Sequence, residues 1–311
     1  MTTGRYAPSP TGELHLGNLR TAALAWLWAR HDSGRFLVRV EDLDSERSHD
    51  EYAERQLADL AALGIDWDGE IIHQSGRNAA YRSALAELTD AGATFECFCT
   101  RREIREAQSA PHGPTDRYPG TCRDLSPAER ERRRETGRPP TIRLRGGDVE
   151  FAWDDLVLGA QRGIADDVPL QRFDGAIAYN LAVVVDDLWQ GVDQVIRGDD
   201  LVSATPSQIA LIRALGGTSP TYGHVPLVLG PSGARLAKRD GAVTMADLAQ
   251  IGVGADDVVR WIARSLGGAV DAQARTLPEL LDSFTPARLP RSPITWNPDR
   301  HGSGLDNRAE P

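Results

Sequence analysis

Strand-like apolar segments alternate with amphipathic segments along the first part of the chain, and this alternation limits the folds that it can adopt. The stretch GRYAPSPTGELHLGNLRTAALAWLWARHDSG predicts a strand, a Gly- and Pro-rich loop, and a helix with apolar residues at positions 16, 19, 23, 24 and 27 on one face. Gly34 marks the end of that helix, and RFLVRVEDLD follows as a second strand. Two more amphipathic helices are predicted, from about Asp50 to Leu63 and from about Asn78 to Ala91. Strands and helices in this order predict βαβ units and a doubly wound, Rossmann-like α/β fold with a parallel sheet.

The alternation is interrupted near Phe95 and returns with AIAYNLAVVVDDLWQGVDQVIRGDDL. The interruption contains the Pro- and Gly-rich stretch SAPHGPTDRYPGTC, an arginine-rich helix and the strand-like segments PTIRLRG and DVEFAWDDLVLG. We therefore predict a Rossmann-like domain in two halves (1–95 and 166–245), an inserted module (96–165), a helical C-terminal subdomain (246–290) and a polar, poorly ordered tail (291–311).

The composition is that of an ordinary soluble protein, with 41% hydrophobic and 26% charged residues among 311. We find no apolar run long enough to span a membrane, and the N-terminal residues have no signal or cleavage pattern. An odd number of cysteines, three, argues against a disulfide framework and for a reducing compartment. We expect a cytoplasmic protein without a membrane partner, and a monomer.

A net charge of -10 argues against a nucleic-acid partner, because binding a polyanion requires cationic groups that neutralise its phosphates. The segment from Arg101 to Arg145 is an exception, since it contains twelve arginines and seven acidic residues. Such a segment is a candidate RNA-binding surface. The alternative is a solvated helix face with i,i+4 ion pairs, which PAERERRRETG also suggests.

The loop between the first strand and the first helix is the first place to look for a ligand, because parallel sheets bind ligands at the carboxyl ends of their strands. There PSPTGELHLGN places His15 and Asn18 three residues apart at the predicted start of the helix. The free amides and the dipole of a helix N-terminus suit a phosphate, and both side chains could donate hydrogen bonds to it. The alternative is that His15 is only a helix cap or a surface residue.

Lys238, in GARLAKRDGAVT, is the only lysine among 35 Lys and Arg residues. Chance is one explanation for its position. The other is that this position requires a compact, flexible ammonium group in place of a planar guanidinium, as phosphate-binding loops do.

Together, RYAPSPTGELHLGN, FLVRVEDLD, AYNLAVVVDD, VIRGDDL and RLAKRDGAVT resemble the catalytic domain of the class I glutamyl-tRNA synthetases, from about Gly4 to Thr244. HLGN is similar to the first class signature (HIGH) and RLAKR to the second (KMSKR). The chain departs from these signatures at Asn18, where the second His is usual, and at Arg235 and Ala237, where Lys and Ser are usual.

The resemblance implies that glutamate attacks the α-phosphate of ATP, with Mg²⁺, to form glutamyl-adenylate. It implies catalytic roles for His15, Asn18 and Lys238, and contacts with ATP for these residues and Gly17. Arg5 and Arg197 would bind the side-chain carboxylate of glutamate, and Glu41 the α-ammonium group. The resemblance completes the pocket with three residues: Ala7, Ser9 and Tyr179. The alternatives for Arg5, Arg197 and Tyr179 are ordinary ion pairs and a core tyrosine.

Cys97, Cys99 and Cys122 offer three soft ligands, and a structural zinc site requires four. His112 is a candidate for the fourth ligand, because histidine is the usual companion of cysteine. The pattern Cys-x-Cys followed by Tyr-x3-Cys resembles the zinc site of one branch of the family, which implies that Tyr118 is the fourth ligand. Three free thiols are the remaining alternative.

About 67 residues follow Thr244, too few for a full anticodon-binding region. This layout, with the Cys and Tyr pattern, resembles the glutamyl-Q tRNA(Asp) synthetases. The resemblance implies activation of glutamate without tRNA and its transfer to the queuosine base at the wobble position of tRNA(Asp), with the inserted module holding the anticodon stem-loop. Two alternatives are a truncated glutamyl-tRNA synthetase that charges the 3′ end of tRNA(Glu), and an inactive, zinc-stabilised RNA-binding paralogue.

Overall fold

A computed structural model describes residues 1–108, 117–236 and 243–296 of the chain. Its central parallel sheet has five strands: β1 (Thr3–Tyr6), β2 (Arg35–Val40), β3 (Ile72–His73), β9 (Gln194–Gly198) and β10 (Thr221–Val225). Their order in the sheet is β10-β9-β1-β2-β3. The predicted α/β fold with a parallel sheet is confirmed.

The connecting helices agree with the apolar periodicity of the sequence. They are α1 (Leu16–His31), α2 (Asp50–Ala62), α3 (Asn78–Asp90), α6 (Tyr179–Gln190) and α7 (Thr205–Ala214). Helix α1 is buried on nearly all sides, because the sheet and the C-terminal helices cover it. The chain leaves α1 through Asp32 and Gly34. An added Cβ at Gly34 would lie 2.4 Å from the carbonyl oxygen of Thr2.

The inserted region is a small antiparallel assembly. Its main sheet contains β4 (Thr94–Cys97), β5 (Thr141–Leu144) and β8 (Pro169–Gln171), and β6 (Glu150–Asp155) and β7 (Gly159–Ile164) form a hairpin. Two short helices, α4 (Arg101–Gln108) and α5 (Pro127–Glu135), carry most of its arginines. The hairpin joins the central sheet through a hydrogen bond from the N–H of Leu156 to the carbonyl of Tyr222, at 2.9 Å.

The C-terminal region is helical, with α8 (Met245–Gln250), α9 (Ala255–Ser265) and α10 (Leu277–Ser283). It packs on α1 and shares one apolar core with the central sheet, and Trp28 meets Phe284 edge to face at 5.2 Å. The start of the predicted polar tail belongs to this core. Strand β12 (Ile294–Thr295) pairs in parallel with β11 (Val228–Leu229), and the buried Trp296 packs edge to face on Trp261. Burial of the Trp296 indole explains why the chain is held here despite its polar neighbours.

Three strands of the sheet end at the same edge and position the site. Residues 7–9 follow β1, and Glu41 follows β2 and is tied to that loop by its N–H, which donates to the carbonyl of Pro8 at 2.9 Å. Arg197 lies at the carboxyl end of β9. Among the residues that the structure describes, no helix is both long and apolar enough to cross a bilayer.

Candidate active site and metal centre

One cavity of about 510 Å³ opens at the carboxyl ends of β1, β2 and β9. It brings together nine of the residues predicted from the sequence, and their roles remain predictions. They are Arg5, Ala7, Ser9, His15, Gly17, Asn18, Glu41, Tyr179 and Arg197. The cavity is also lined by Arg235, from the signature-like segment after β11.

His15 and Asn18 form a reciprocal cap at the start of α1. The Asn18 backbone N–H donates to Nδ1 of His15, and the His15 N–H donates to Oδ1 of Asn18, both at 3.2 Å. Because Nδ1 accepts a hydrogen bond, the proton of the neutral ring is on Nε2. Burial, the larger cause, and the charge of Arg235 together lower the pKa of His15 to about 4. The ring is therefore neutral at pH 7. Its Nδ1 caps the helix and its Nε2–H is a hydrogen-bond donor, so the ring can do both things that the sequence left as alternatives.

Gly17 allows the His15 ring to lie over the helix start. A Cβ at this position would lie 3.0 Å from both Cε1 and Nδ1 of His15, and 3.3 Å from the Cβ of Val228. The first turn of α1 also contains no acidic residue, so the positive end of the helix dipole is not neutralised by a neighbouring side chain.

Arg5 is held from behind by a buried carboxylate. Its Nε and Nη2 donate to Oδ1 and Oδ2 of Asp187 at 3.3 and 3.4 Å. The same Asp187 carboxylate contacts Nη2 of the fully buried Arg39 at 2.8 Å. This geometry leaves the Nη1 edge of Arg5 for a ligand in the cavity.

Arg197 donates more hydrogen bonds to neighbouring groups than Arg5 does. It donates from Nε to Nε2 of His224 at 3.1 Å, and from Nη1 to Oε1 of Gln208 at 2.7 Å. Its Nη2 donates to Oγ1 of Thr205 at 2.8 Å and to the carbonyl of Leu201 at 3.3 Å. A guanidinium has five N–H groups, so one N–H of Nη1 remains for the cavity.

Glu41 is a buried carboxylate beside two guanidinium groups. Burial raises its pKa to about 7, although Arg39 and Arg5 lower it; Arg39 lies 3.6 Å away. Burial disfavours the ionised form of this carboxylate, and a cationic ligand beside it favours that form again. An ammonium group is such a ligand.

The described residues at both ends of the stretch from Arg235 to Thr244 contact the site. Nη1 of Arg235 pairs with Oδ2 of Asp200 at 2.7 Å, and the N–H of Leu16 donates to the carbonyl of Val243 at 2.8 Å. Thr244 forms a single β-bridge with His15. Ala237 and Lys238 lie outside the described residues, so the prediction for Lys238 stays a prediction.

The three cysteines lie together in the inserted region. Their sulfurs are all within 4.8 Å of one another, with Sγ of Cys99 and Sγ of Cys122 at 3.5 Å. The Tyr118 Oη lies 3.2 Å from Sγ of Cys97 and 3.7 Å from Sγ of Cys99. Ligands of a tetrahedral zinc ion with bonds of about 2.3 Å lie about 3.8 Å apart. The donor set therefore fits zinc, and His112 lies outside the described residues.

The family model for the catalytic domain of the class I tRNA synthetases of the E and Q type matches residues 1–275. The chain belongs to this family. Among its relatives, a Glutamyl-Q tRNA(Asp) synthetase of Nocardia farcinica is 57% identical over 93% of this chain and 91% of its own length. A Glutamyl-Q tRNA(Asp) synthetase of Symbiobacterium thermophilum is 48% identical over 94% of this chain and 95% of its own length. The predicted resemblance to these synthetases is confirmed.

Other relatives in the family are longer. A Glutamate--tRNA ligase of Nitratidesulfovibrio vulgaris is 41% identical over 95% of this chain, which spans 64% of that ligase. The crystal structure of a glutamate tRNA ligase from Elizabethkingia meningosepticum matches with a TM-score of 0.83 at 24% identity, over 96% of this chain and 68% of that protein. This structural likeness shows the class I synthetase fold.

Six of the twelve arginines between Arg101 and Arg145 either pair with a carboxylate or are buried. Five pair with carboxylates: Arg102, Arg117, Arg123, Arg134 and Arg145. Arg143 is buried, 4.1 Å above the Tyr118 ring. The other six have no carboxylate within ion-pair distance among the described residues: Arg101, Arg105, Arg130, Arg132, Arg133 and Arg138. We call these six the open arginines. In α5, where PAERERRRETG suggested i,i+4 pairs, Arg134 pairs with Glu131 three residues earlier and with Glu96 on β4. An i,i+4 pair occurs in α4, between Arg102 and Glu106.

Several residues that shape the pocket were not predicted from the sequence. They are Arg39, Asp155, Asp187, Thr205, Gln208 and His224, and all are buried. One signal was available for Asp187, because adjacent acidic residues in the apolar helix AYNLAVVVDDLWQ require buried partners. No local pattern marks Asp155 or His224, since they lie on different strands.

Proposed function

We propose that this chain, as a monomer in the cytoplasm, uses ATP to activate glutamate as glutamyl-adenylate without tRNA, and transfers the glutamyl group to the queuosine base of tRNA(Asp). The observation that carries the proposal is one cavity in which two arginines and a buried carboxylate, groups suited to a dicarboxylic amino acid, lie beside a helix start suited to phosphate. The names and coverage of the most similar relatives support the choice of acceptor.

In the first step, the side-chain carboxylate and the α-ammonium group of glutamate each bind to protein groups of opposite charge. The free Nη1 edges of Arg5 and Arg197 bind the side-chain carboxylate, and Glu41 pairs with the α-ammonium group. Backing by Asp187 fixes the position of Arg5 before glutamate arrives, so little conformational entropy is lost on binding. Ala7, Ser9 and Tyr179 complete the walls of the pocket.

In the second step, an α-carboxylate oxygen of glutamate attacks the α-phosphorus of ATP. A new P–O bond forms, and the bond to the β-phosphate breaks and releases pyrophosphate. His15 donates its Nε2–H, Asn18 and the amides of α1 add further donors next to Gly17, and Lys238 supplies a positive charge. Mg²⁺ bound with ATP supplies further positive charge to the phosphates.

In the third step, a hydroxyl of the cyclopentene-diol of queuosine attacks the carbonyl carbon of the adenylate. An ester bond forms and AMP leaves. The open arginines of the inserted region would hold the phosphates of the anticodon stem-loop, whose splayed bases and 2′-hydroxyls distinguish RNA loops.

Cys97, Cys99, Tyr118 and Cys122 would hold one structural zinc ion, which supplies the cross-link that a loop-rich region with a small apolar core needs. Burial raises the pKa of the Tyr118 phenol, as do its contacts with Cys97. A cation is therefore required to favour the phenolate as a ligand.

The test is incubation with ATP and labelled glutamate, with tRNA(Asp) that contains or lacks queuosine. We expect alkali-labile label on the queuosine-containing RNA alone. Label on the 3′ end of tRNA(Glu) would favour a truncated glutamyl-tRNA synthetase. Absence of glutamate-dependent ATP–pyrophosphate exchange would favour an inactive RNA-binding paralogue.

The same exchange assay tests the KMSKR-like segment. We expect Lys238→Ala to reduce glutamate-dependent exchange by about a hundredfold or more, as for other lost transition-state donors. Near-normal exchange in this variant would remove Lys238 from the mechanism.

A further inference from the structure

Behind Arg197, a chain of buried polar groups leads away from the cavity into the inserted hairpin. Nε of Arg197 lies 3.1 Å from Nε2 of His224, and Nδ1 of His224 lies 2.5 Å from Oδ2 of Asp155. His224 is fully buried, and Asp155 and Arg197 are each 5% exposed. Neither His224 nor Asp155 lines the cavity. Nε2 of His224 contacts Arg197, which does line it, and Oγ1 of Thr205 at 3.2 Å, which does not.

The hydrogen bonds fix the position of the His224 proton. A guanidinium Nε–H is a donor only, so Nε2 of His224 must present its lone pair. The proton of the neutral ring is then on Nδ1, from which it is donated to the carboxylate of Asp155. Burial, the largest cause, lowers the pKa of His224, which keeps the ring neutral.

Asp155 is itself held rigidly at the end of β6. Its Oδ1 accepts the backbone N–H groups of His224, Val157 and Leu158, each at 3.0 Å. Burial alone would raise the pKa of Asp155, but the hydrogen bonds from His224 and from these backbone groups hold it at about 2. The carboxylate is therefore an obligatory acceptor at neutral pH.

The donor-to-acceptor direction of these hydrogen bonds decides which N–H group of Arg197 can face a ligand. Four of its N–H groups donate to His224, Gln208, Thr205 and the carbonyl of Leu201, which leaves one N–H of Nη1 for the cavity. If Nε2 of His224 carried a proton, two N–H groups would face each other at 3.1 Å. The guanidinium would have to turn, and its remaining N–H would leave the position that the ligand requires.

We propose that Asp155 and His224 are positioning residues for Arg197: Asp155 selects the Nδ1–H tautomer of His224, which aims Arg197 at the side-chain carboxylate of glutamate. This inference rests on the proposed function for the role of Arg197 toward glutamate. It gives the inserted hairpin a part in amino-acid recognition, because Asp155 is supplied by β6.

Asp155→Asn is the sharpest variant. The Asn oxygen keeps the three backbone contacts, while its NH₂ group faces Nδ1 of His224 and forces the proton onto Nε2. We expect the KM for glutamate to rise tenfold or more in pyrophosphate exchange, with the KM for ATP within twofold of the wild type. The ¹⁵N shifts of the His224 ring should change from the Nδ1–H to the Nε2–H pattern.

Two further variants keep the test decisive if Asp155→Asn does not fold. His224→Gln can present Oε1 to Nε of Arg197, whereas His224→Leu cannot, so the KM for glutamate should rise less in the Gln variant. Asp66→Asn is the matched control, because Asp66 accepts a ring N–H from Trp26 at 2.6 Å far from the cavity. It should leave both KM values unchanged.

The proposal is overturned if the His224 tautomer changes in Asp155→Asn while the KM for glutamate does not, or if wild-type His224 carries its proton on Nε2. Equal KM values for the Gln and Leu variants also overturn it. Failure of the proposed function would differ, because wild-type protein would then show no glutamate-dependent exchange, while the ring shifts would still report the tautomer.

Discussion

The arginines of the proposed glutamate pocket, Arg5 and Arg197, and those of the inserted region have the same side chain but opposite surroundings. Arg5 and Arg197 are buried, and neighbouring side chains hold most of their N–H groups. The open arginines lie outside ion-pair reach of the carboxylates that the structure describes, and Arg101, Arg105, Arg132 and Arg133 are exposed. A fixed guanidinium suits one small ligand of defined shape, whereas an exposed one suits a polyanion whose phosphates can be met in many ways.

The largest effect should come from Arg197→Lys. An ammonium group has three N–H donors and no planar fork, so it cannot meet His224, Gln208 and Thr205 and still face a ligand. We expect glutamate-dependent pyrophosphate exchange to fall by about a hundredfold or more. Arg132→Lys in α5 keeps the charge on an exposed side chain and should leave exchange unchanged. Equal behaviour of the two variants would contradict the distinction between fixed and open arginines.

Loss of the metal centre should separate the two regions. In Cys99→Ser we expect bound zinc to be lost and transfer to tRNA(Asp) to fall about tenfold or more, while glutamate-dependent exchange is largely retained. Tyr118→Phe should lower the zinc content, and His112→Ala should not; metal analysis of purified protein measures both. Unchanged zinc in Tyr118→Phe would reject Tyr118 as a ligand.

The pH dependence should differ between activation and RNA binding. Below about pH 7, Glu41 takes up a proton and can no longer pair with an ammonium group, so the KM for glutamate should rise as the pH falls. For a pKa of about 7, the ionised fraction falls about fivefold between pH 7 and pH 6. The KM should rise by the same factor, and a flat profile in exchange assays would show that Glu41 does not bind the α-ammonium group. On the RNA side, contacts from Arg123 and Arg117 lower the pKa of Asp148, so this carboxylate stays charged over the same range.

Single open arginines should give the smallest effects. We expect Arg132→Gln or Arg133→Gln to weaken tRNA(Asp) binding about threefold, because one phosphate contact among several is lost, and to reduce the salt dependence of binding. The KM for glutamate should not change. Arg260→Gln, which removes an arginine paired with Asp257 on α9, is the control. Binding that is insensitive to salt would exclude the open arginines as the RNA surface.

Most of the fold could be predicted from the sequence, because it depends on local periodicity. Helices α2 and α3 end within one residue of the predicted bounds, and the parallel sheet follows from the alternation of strands and helices. Residues Asp199–Ala204 form a 3₁₀ segment before α7, and Pro206 lies in the first turn of that helix, where no backbone N–H donor is needed. The predicted polar tail (291–311) includes Trp296, which the structure buries, because this burial depends on Trp261 rather than on its own neighbours in the chain.

The sequence by itself determined which groups meet at the edge of the sheet, since the ends of parallel strands converge wherever βαβ units repeat. It also placed the three cysteines of the candidate zinc site within one short segment, residues 97–122, and the structure brings their sulfurs within 4.8 Å of one another. Only the tertiary structure decided how the pocket arginines are aimed. Their partners Asp187, His224 and Asp155 lie on three other elements far apart in the chain, and side chains that meet only across the core leave no periodic trace in the sequence.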